Sequence, residues 1–133
     1  MRVGPHPALG RLLKRPDFLA AARGRRFHSP KMTVQGRARD VDAAMPATGL
    51  RLGYTVTRKV GHATERNRIK RRLRAAAAEA SARFVDRHSD VVVIGRREAL
   101  SAPFPDLIED LARAFSIVTR TGGGQDTRRQ IPT

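Results

Sequence analysis

The sequence contains no cysteine and no tryptophan, and it has one tyrosine and five phenylalanines among 133 residues. Without cysteine, the chain has no disulfide, no thiolate ligand for a metal and no cysteine nucleophile. No apolar run approaches the roughly 18 residues that a membrane-spanning helix needs. Residues 1–10 also lack the apolar block of a secretory signal. We therefore expect a soluble, cytoplasmic protein.

Acidic residues are scarce as well. The chain has 12 Asp and Glu against 27 Lys and Arg, which gives a formal net charge of +15. A charge of this size repels itself in the compact state, so it is tolerated mainly when a polyanion neutralises it. Nucleic acid is the commonest such partner, and an anionic membrane surface is the alternative. Arginine predominates over lysine, and its planar fork can hold a phosphate through two hydrogen bonds. A GC-rich genome explains this arginine bias equally well.

The few acids do not form an obvious catalytic group. An enzyme acting alone needs paired acids, a nucleophile with its base, or metal ligands. Only Asp40 with Asp42, and Glu109 with Asp110, are close in sequence, and we place the second pair on the solvated side of a final helix. The four histidines are too far apart for a local metal motif. We predict no catalytic residue and no metal ligand on the protein.

Six segments have the periodicity of regular secondary structure. In chain order, they are a helix over residues 16–23, strands over 31–36 and 50–57, a long helix over 64–84, a strand over 90–95 and a final helix from residue 103. This order predicts an α+β fold, a small α/β sandwich in which helices pack on a mixed sheet of about four strands, one of which the pattern does not place. Residues 1–120 are predicted to form a single RNA-binding domain, and the Gly-rich, basic residues 121–133 a disordered tail.

Two of the helices allow finer predictions. The first helix should turn Phe18, Leu19 and Ala22 inward, and Thr64 is the expected N-terminal cap of the long helix. In the long helix, residues 66–74 include six cations. At about 100° per residue, one stripe of this helix is apolar and the opposite stripe is basic. The apolar stripe comprises Ile69, Leu73, Ala76, Ala77, Ala80 and Phe84; the basic one comprises Asn67, Arg71 and Arg74, with Lys70 and Arg68 beside it.

The basic stripe indicates an anion-binding surface. Like charges four residues apart destabilise an isolated helix, so their density here points to a compensating polyanion. The alternative is a solvated face of an ordinary helix, but such faces mix both signs, and Glu65 is the only acid nearby. Arg58 and Lys59 precede the helix, whose N-terminal amides favour anions. Gly61 is either a hinge of this loop or a plain turn glycine, and His62 is at most a neighbour of a phosphate.

Residues 53–74, GYTVTRKVGHATERNRIKRRLR, are similar to the signature of the bacterial ribonuclease P protein component family. In that family a Gly-x-x-Val strand leads through a Lys-Val/Ile-Gly loop into an Arg-Asn-Arg helix. Looser similarity extends over roughly residues 9 to 120. The resemblance implies an α/β sandwich with a left-handed βαβ crossover, against the strong right-handed rule.

The resemblance also implies a function. The protein would be a subunit of ribonuclease P, a ribonucleoprotein endonuclease, and would bind both the catalytic RNA subunit and the 5′ leader of precursor tRNA. It would assist removal of the leader, while Mg²⁺ ions held mainly by the RNA supply the chemistry. No membrane and no obligate protein partner are implied.

The family's functional residues map onto two groups. The residues that would face RNA are Arg58, Lys59, Arg66, Asn67, Arg68, Lys70, Arg71 and Arg74. The residues that would line the leader cleft, between the first helix and the sheet, are Phe18, Lys31 and Gln35. The family often has further aromatics where this chain has Ala22 and Gln35. Fewer stacking faces predict a weaker cleft.

Three other functions fit the sequence less well. A ribosomal or RNA-chaperone protein would share the charge but does not explain the strand, loop and helix signature. A protein-only nuclease would need clustered acids. Binding to a membrane surface is disfavoured because the apolar stripe is rich in alanine and has one aromatic, Phe84.

Overall fold

The computed structural model describes residues 10–12, 14–39 and 49–120. The helices and strands are β1 (Gly10–Arg11), α1 (Arg15–Ala22), β2 (Arg25–His28), β3 (Met32–Ala38), β4 (Leu50–Thr55), α2 (Ala63–Ala80), β5 (Ser89–Gly95) and α3 (Phe104–Val118). Short 3₁₀ turns occupy Arg58–Val60, Ser81–Arg83 and Arg97–Leu100. The α+β class is confirmed, with five strands in the described residues rather than about four. The tail predicted at residues 121–133 lies outside the described residues.

One mixed sheet, in the order β1-β4-β5-β3-β2, separates the helices into two layers. β5 runs parallel to β4 and antiparallel to β3. A Cβ atom at Gly95 would lie 2.7 Å from Ile69 of α2, and one at Gly36 would lie 2.9 Å from Val118 of α3. Gly95 is in register with Met32, and Gly36 lies four residues after Met32 in β3, so both glycines are on the same face of the sheet. Helices α2 and α3 therefore cover that face. A Cβ atom at Gly53 would instead lie 2.6 Å from the ring of Phe18, so α1 covers the other face.

The crossover from β4 through α2 to β5 is left-handed, and Leu52 shows this directly. Its side chain is in the core that α2 covers, and its carbonyl accepts a hydrogen bond at 2.9 Å from the amide of Leu12, which follows β1. For an L-residue seen with its strand running upward and its side chain toward the viewer, the carbonyl points to the right. From the side of α2, β1 therefore lies to the right of β4 and β5 to the left. Because α2 lies in front of the sheet in this view and β5 lies to the left of β4, the crossover is left-handed, as the resemblance implies.

The long helix buries the predicted stripe. Ile69, Leu73, Ala76, Ala77 and Ala80 are all in the core. The helix begins at Ala63, one residue before the predicted start, so His62 occupies the N-cap position and the prediction of Thr64 as the cap is wrong. Glu65 accepts the amide hydrogen of His62 at 2.9 Å, which satisfies one of the free donors of the first turn. α2 ends at Ala80, earlier than predicted, and Phe84 is buried beyond it.

The prediction that Leu19 turns inward is wrong, because its side chain is 51% exposed. On α1, Ala21 is fully buried and Phe18 is half-buried, and both belong to a small cluster with Leu12 and Val92 under the helix. Leu19 is about 100° away from Phe18 around the helix axis and therefore points toward solvent. The prediction that Phe18 turns inward is confirmed.

Two strands were not placed from the sequence. β1 has only two residues and pairs with β4, and β2 has one buried residue, Phe27, among four. β2 lies at an edge of the sheet, where it pairs with β3 alone. A strand that buries one side chain has no detectable alternation, so its partner rather than its sequence determines it.

Candidate nucleic-acid interface

One side of α2 presents a row of cationic and polar side chains to solvent. Asn67, Arg68, Arg71 and Arg74 are exposed, and Lys70 is half-buried beside them. We call these five residues the basic helix face. It lies opposite the buried stripe, as predicted. Within the described residues, no carboxylate forms a salt bridge with any of its cations. A groove of about 380 Å³ runs along it, with Leu100 as its far wall.

Other arginines of the same region hold the protein together instead. Arg72 donates hydrogen bonds to the carbonyls of Ala99 and Ala102, at 2.5 and 2.6 Å. Arg66, which the resemblance assigns to RNA binding, donates to the carbonyl of Gly61 at 3.0 Å and is half-buried. Arg66 therefore anchors the loop to the helix. Sequence position alone did not separate these anchoring arginines from the free ones.

The loop before α2 places two further cations beside this face. Arg58 and Lys59 are exposed on the 3₁₀ turn Arg58–Val60. A Cβ atom at Gly61 would lie 2.3 Å from the Glu65 carboxylate, so a larger residue would displace the Glu65 side chain from the loop. Hydrogen bonds from Arg97, and then from the amide of His62, lower the pKa of Glu65 to about 2. Glu65 thus stays ionised near neutral pH and holds the loop against the helix N-terminus, where exposed amides already favour anions.

The sheet face that carries α1 forms a second surface. Gln35 pairs with Val92 and Arg26 in the register, and the next row along the strands is formed by His28, Thr33, Ile94 and Thr55. Phe18 covers Gly53 at the neighbouring position of β4. We call the floor formed by Gln35, His28, Ile94 and Thr55, with Phe18 at its rim, the sheet-face cleft. Phe18 and Gln35 thus lie on the same sheet face, with Val92 of β5 between Gly53 and Gln35 in the register.

Lys31 does not belong to this cleft, contrary to the prediction. It lies in the turn before β3, and its ammonium is 3.1 Å from the carboxylate of Asp110 on α3, which covers the opposite face of the sheet. Asp110 was expected on the solvated side of the helix but is only 8% exposed. A buried carboxylate is costly unless it is paired, and the long lysine side chain reaches it past the end of the sheet.

Two basic residues near the cleft, one arginine and one histidine, come from β2, a strand that the sequence pattern did not predict. Arg26 and His28 are exposed on the two sides of buried Phe27. The Nδ1 atom of His28 is 3.1 Å from the hydroxyl of Thr33. Partial burial, and then the charges of Arg26 and Arg96, lower the pKa of the His28 imidazole below its usual range. His28 is therefore mostly neutral at pH 7 and available for hydrogen bonding.

A buried charge cluster ties α1 to the sheet beside the cleft. Arg51 donates to both oxygens of Asp90 at 2.8 Å, and Arg39 donates to one of them at 2.5 Å. Arg51 also lies 3.6 Å from Asp17 of α1. Burial alone would raise the pKa of Asp90, but hydrogen bonds from Arg51 and then Arg39 outweigh it, and the net pKa is lowered. This cluster orients the helix that carries Phe18.

A family model described as Ribonuclease P matches residues 7–119. The chain belongs to the ribonuclease P protein family. The ribonuclease P protein component of Ruegeria pomeroyi is 48% identical to it over 105 residues, which cover 78% of this chain and 82% of that protein. The component of Brucella suis is 37% identical over 127 residues, covering 92% and 90%. The solved RNase P protein from Thermotoga maritima is similar with a TM-score of 0.63 at 29% identity, covering 85% of this chain and 98% of that one.

Among the described residues, no group of three or more His, Asp or Glu side chains could hold a metal ion. In the same part of the chain, no helix is long and apolar enough to cross a membrane. The basic helix face and the sheet-face cleft together present positive charge, hydrogen-bond donors and one aromatic ring, a combination that is suited to binding RNA.

Proposed function

We propose that this protein is the protein subunit of ribonuclease P, that its basic helix face binds the catalytic RNA, and that its sheet-face cleft holds the 5′ leader of precursor tRNA. It thereby assists endonucleolytic removal of the leader. The observation that carries this proposal is the gathering of the exposed cations of residues 58–74 on one helix face and its adjoining loop. The protein acts in the cytoplasm, without a membrane and without an obligate protein partner.

The same proposal assigns the hydrolytic step to the RNA. Mg²⁺ prefers carboxylate, carbonyl and phosphate oxygens. The carboxylates of the described part of the chain are isolated or already paired with arginine and lysine, as Asp90 and Asp110 are. RNA phosphates offer the better ligand set, so the Mg²⁺ ions are held mainly by the RNA subunit. The protein contributes substrate positioning and charge neutralisation.

Purified protein, freed of RNA by nuclease treatment, should not cleave precursor tRNA. Addition of the RNA subunit should restore cleavage at the mature 5′ end, because the two components supply different parts of the reaction. The measurement is a cleavage time course with protein alone, RNA alone and both, at one Mg²⁺ concentration. Rapid Mg²⁺-dependent cleavage at that position by the RNA-free protein would overturn the proposal.

Replacing Arg71 with Ala should weaken binding of the RNA subunit and make it less sensitive to salt. A phosphate contact contributes about 1 to the slope of log affinity against log salt, so the slope should fall by about that amount. The affinity itself should fall by about 1–3 kcal/mol, the range for hydrogen bonds to charged groups. The measurement is a salt titration of protein–RNA affinity.

Arg113→Ala is the matched control for Arg71→Ala. Arg113 is exposed on α3, outside the basic helix face, and its replacement lowers the net charge by the same one unit. If both variants lose the same affinity and the same slope, the binding follows net charge alone, and the assignment of the basic helix face is wrong.

Replacing Phe18 with Leu should weaken binding of precursor tRNA to the assembled enzyme and leave binding of mature tRNA nearly unchanged. Leucine keeps apolar bulk over Gly53 but removes the aromatic face, and stacking contributes about 1–3 kcal/mol per base. The measurement is a titration with precursor tRNAs of increasing leader length. Leu19→Ala, the exposed neighbour on α1, is the control. Equal losses at every leader length, including zero, would contradict the cleft assignment.

A further inference from the structure

A cavity of about 470 Å³ lies where β1 stops pairing with β4. It crosses the edge of the sheet, from Phe18 on the α1 side to Tyr54, Arg74 and Ala78 on the α2 side. In the described part of the chain, the register of β1 with β4 ends at Leu52, and no described strand pairs with the rest of β4 on the side of this cavity. The volume is within the roughly 300–1,000 Å³ that is usual for small-ligand sites. Neither the basic helix face nor the sheet-face cleft includes the cavity as a whole.

The wall of the cavity contains a backbone donor beside a backbone acceptor, neither of which has a partner among the described residues. The carbonyl of Leu52 points toward β1, and residues two apart in a strand point their backbone groups the same way. The amide and carbonyl of Tyr54 therefore point into the cavity as well. From the described residues, no backbone hydrogen bond reaches Tyr54 on that side. Each nucleobase has donors and acceptors along its Watson–Crick edge that can pair with such a backbone unit.

The ends of the cavity offer flat surfaces and positive charge. The guanidinium carbon of Arg74 lies 5.1 Å from the centre of the Tyr54 ring, an arrangement that holds its plane in place. Unpaired bases stack on guanidinium planes and on aromatic rings. Phe18 lines the cavity on the α1 side, and Arg11 adds a second cation to the lining. None of the described lining residues is acidic.

These features favour a nucleotide over a peptide strand as the occupant. A peptide could extend the sheet along the free edge of β4. However, the open edge covers only Gly53 to Thr55, and Phe18 and Arg74 flank it on either side. The described lining has two cations, Arg11 and Arg74, and no acid, which suits a phosphodiester better than a neutral peptide backbone.

We propose that this cavity binds one unpaired RNA nucleotide, with its base against Arg74 and Phe18 and its edge on the backbone of Tyr54. The inference rests on the proposed function, since it requires that RNA contacts α1 and α2 in the assembled enzyme. The nucleotide belongs either to the leader of precursor tRNA or to the RNA subunit. Both sources share the same chemistry, and the experiment separates them.

The test is to fill the cavity with Ala78→Met, which adds volume and changes no charge. Ala82→Met makes the same replacement at an exposed alanine outside the cavity. Three affinities are compared for wild type and both variants: protein for the RNA subunit, and assembled enzyme for precursor tRNA and for mature tRNA. If the leader supplies the nucleotide, Ala78→Met should weaken precursor tRNA binding about five-fold or more, with mature tRNA unchanged. If the RNA subunit supplies it, assembly should weaken by that factor instead.

A second variant, Tyr54→Leu, keeps apolar packing but removes the ring under Arg74, and it should lower the same affinity as Ala78→Met. It keeps the test decisive if Ala78→Met does not fold, which thermal melting would show. The proposal is overturned if the folded variants bind all three RNAs as the wild type does, an outcome that would leave the β4 edge to a peptide strand. Failure of the wild-type protein to bind the RNA subunit would count against the proposed function instead.

Discussion

Leu73→Ala should lower the free energy of unfolding by about 2–5 kcal/mol, the range for truncating a buried leucine. Leu73 is fully buried on α2, and a Cβ atom at Gly95 of β5 would lie 3.0 Å from its side chain. The helix thus packs closely on the sheet, and rigid backbone on both sides prevents the space from closing. Because small domains are stable by only about 5–15 kcal/mol, this loss removes a large share of the stability and should lower the melting temperature by several degrees or more.

Leu19→Ala is the control for Leu73→Ala, because the same atoms are removed from a side chain that is 51% exposed. It should change the free energy of unfolding by less than about 1 kcal/mol. Both variants are measured by urea unfolding at one salt concentration, since bound anions would stabilise the folded state. Equal effects at the two positions would show that α2 does not pack on the sheet as described.

Asp90→Ala should lower the free energy of unfolding by about 3 kcal/mol, the lower end of the range for removing one partner of a buried ion pair. The side chain of Asp90 is 5% exposed, whereas those of its partners Arg39 and Arg51 are 19% and 28% exposed. The two arginines would be left partly buried without their carboxylate, although each could turn toward solvent. The α1 helix would also lose part of its anchor, so binding of precursor tRNA should weaken more than binding of the RNA subunit.

The pH dependence provides a second measurement for Asp90. Its pKa is lowered in the folded protein, so its contribution to stability is present above the unfolded value, about 3.9, and is lost as the pH falls through the lower folded value. Wild-type stability should therefore fall more steeply below about pH 4 than that of Asp90→Ala. Asp86→Ala, which removes an exposed carboxylate, should follow the wild type. If the stability of all three proteins falls equally steeply below about pH 4, the ion pairs of Asp90 do not stabilise the fold as described.

The sequence alone determined the family, the fold class and the basic helix face. Residues 53–74 form one contiguous signature, and the stripe from Ile69 to Ala80 repeats with the period of a helix, so both are readable from neighbouring residues. The cationic face of α2 follows necessarily once the apolar stripe is buried. The structure places Phe18 and Gln35 on the same face of the sheet, whereas their assignment to a leader cleft stays a prediction that the resemblance supplied.

Only the tertiary structure decided which charged residues are free and which are used internally. Arg71 and Arg72 are neighbours of the same type, yet the first is exposed and the second donates to carbonyls beyond β5. Lys31 is paired with Asp110, and Asp90 with two arginines, across distances in sequence that no local pattern encodes. The open edge of β4 likewise depends on where β1 stops. Long-range pairing is set by how the helices pack on the two faces of the sheet, and periodicity reports only which side of an element is buried.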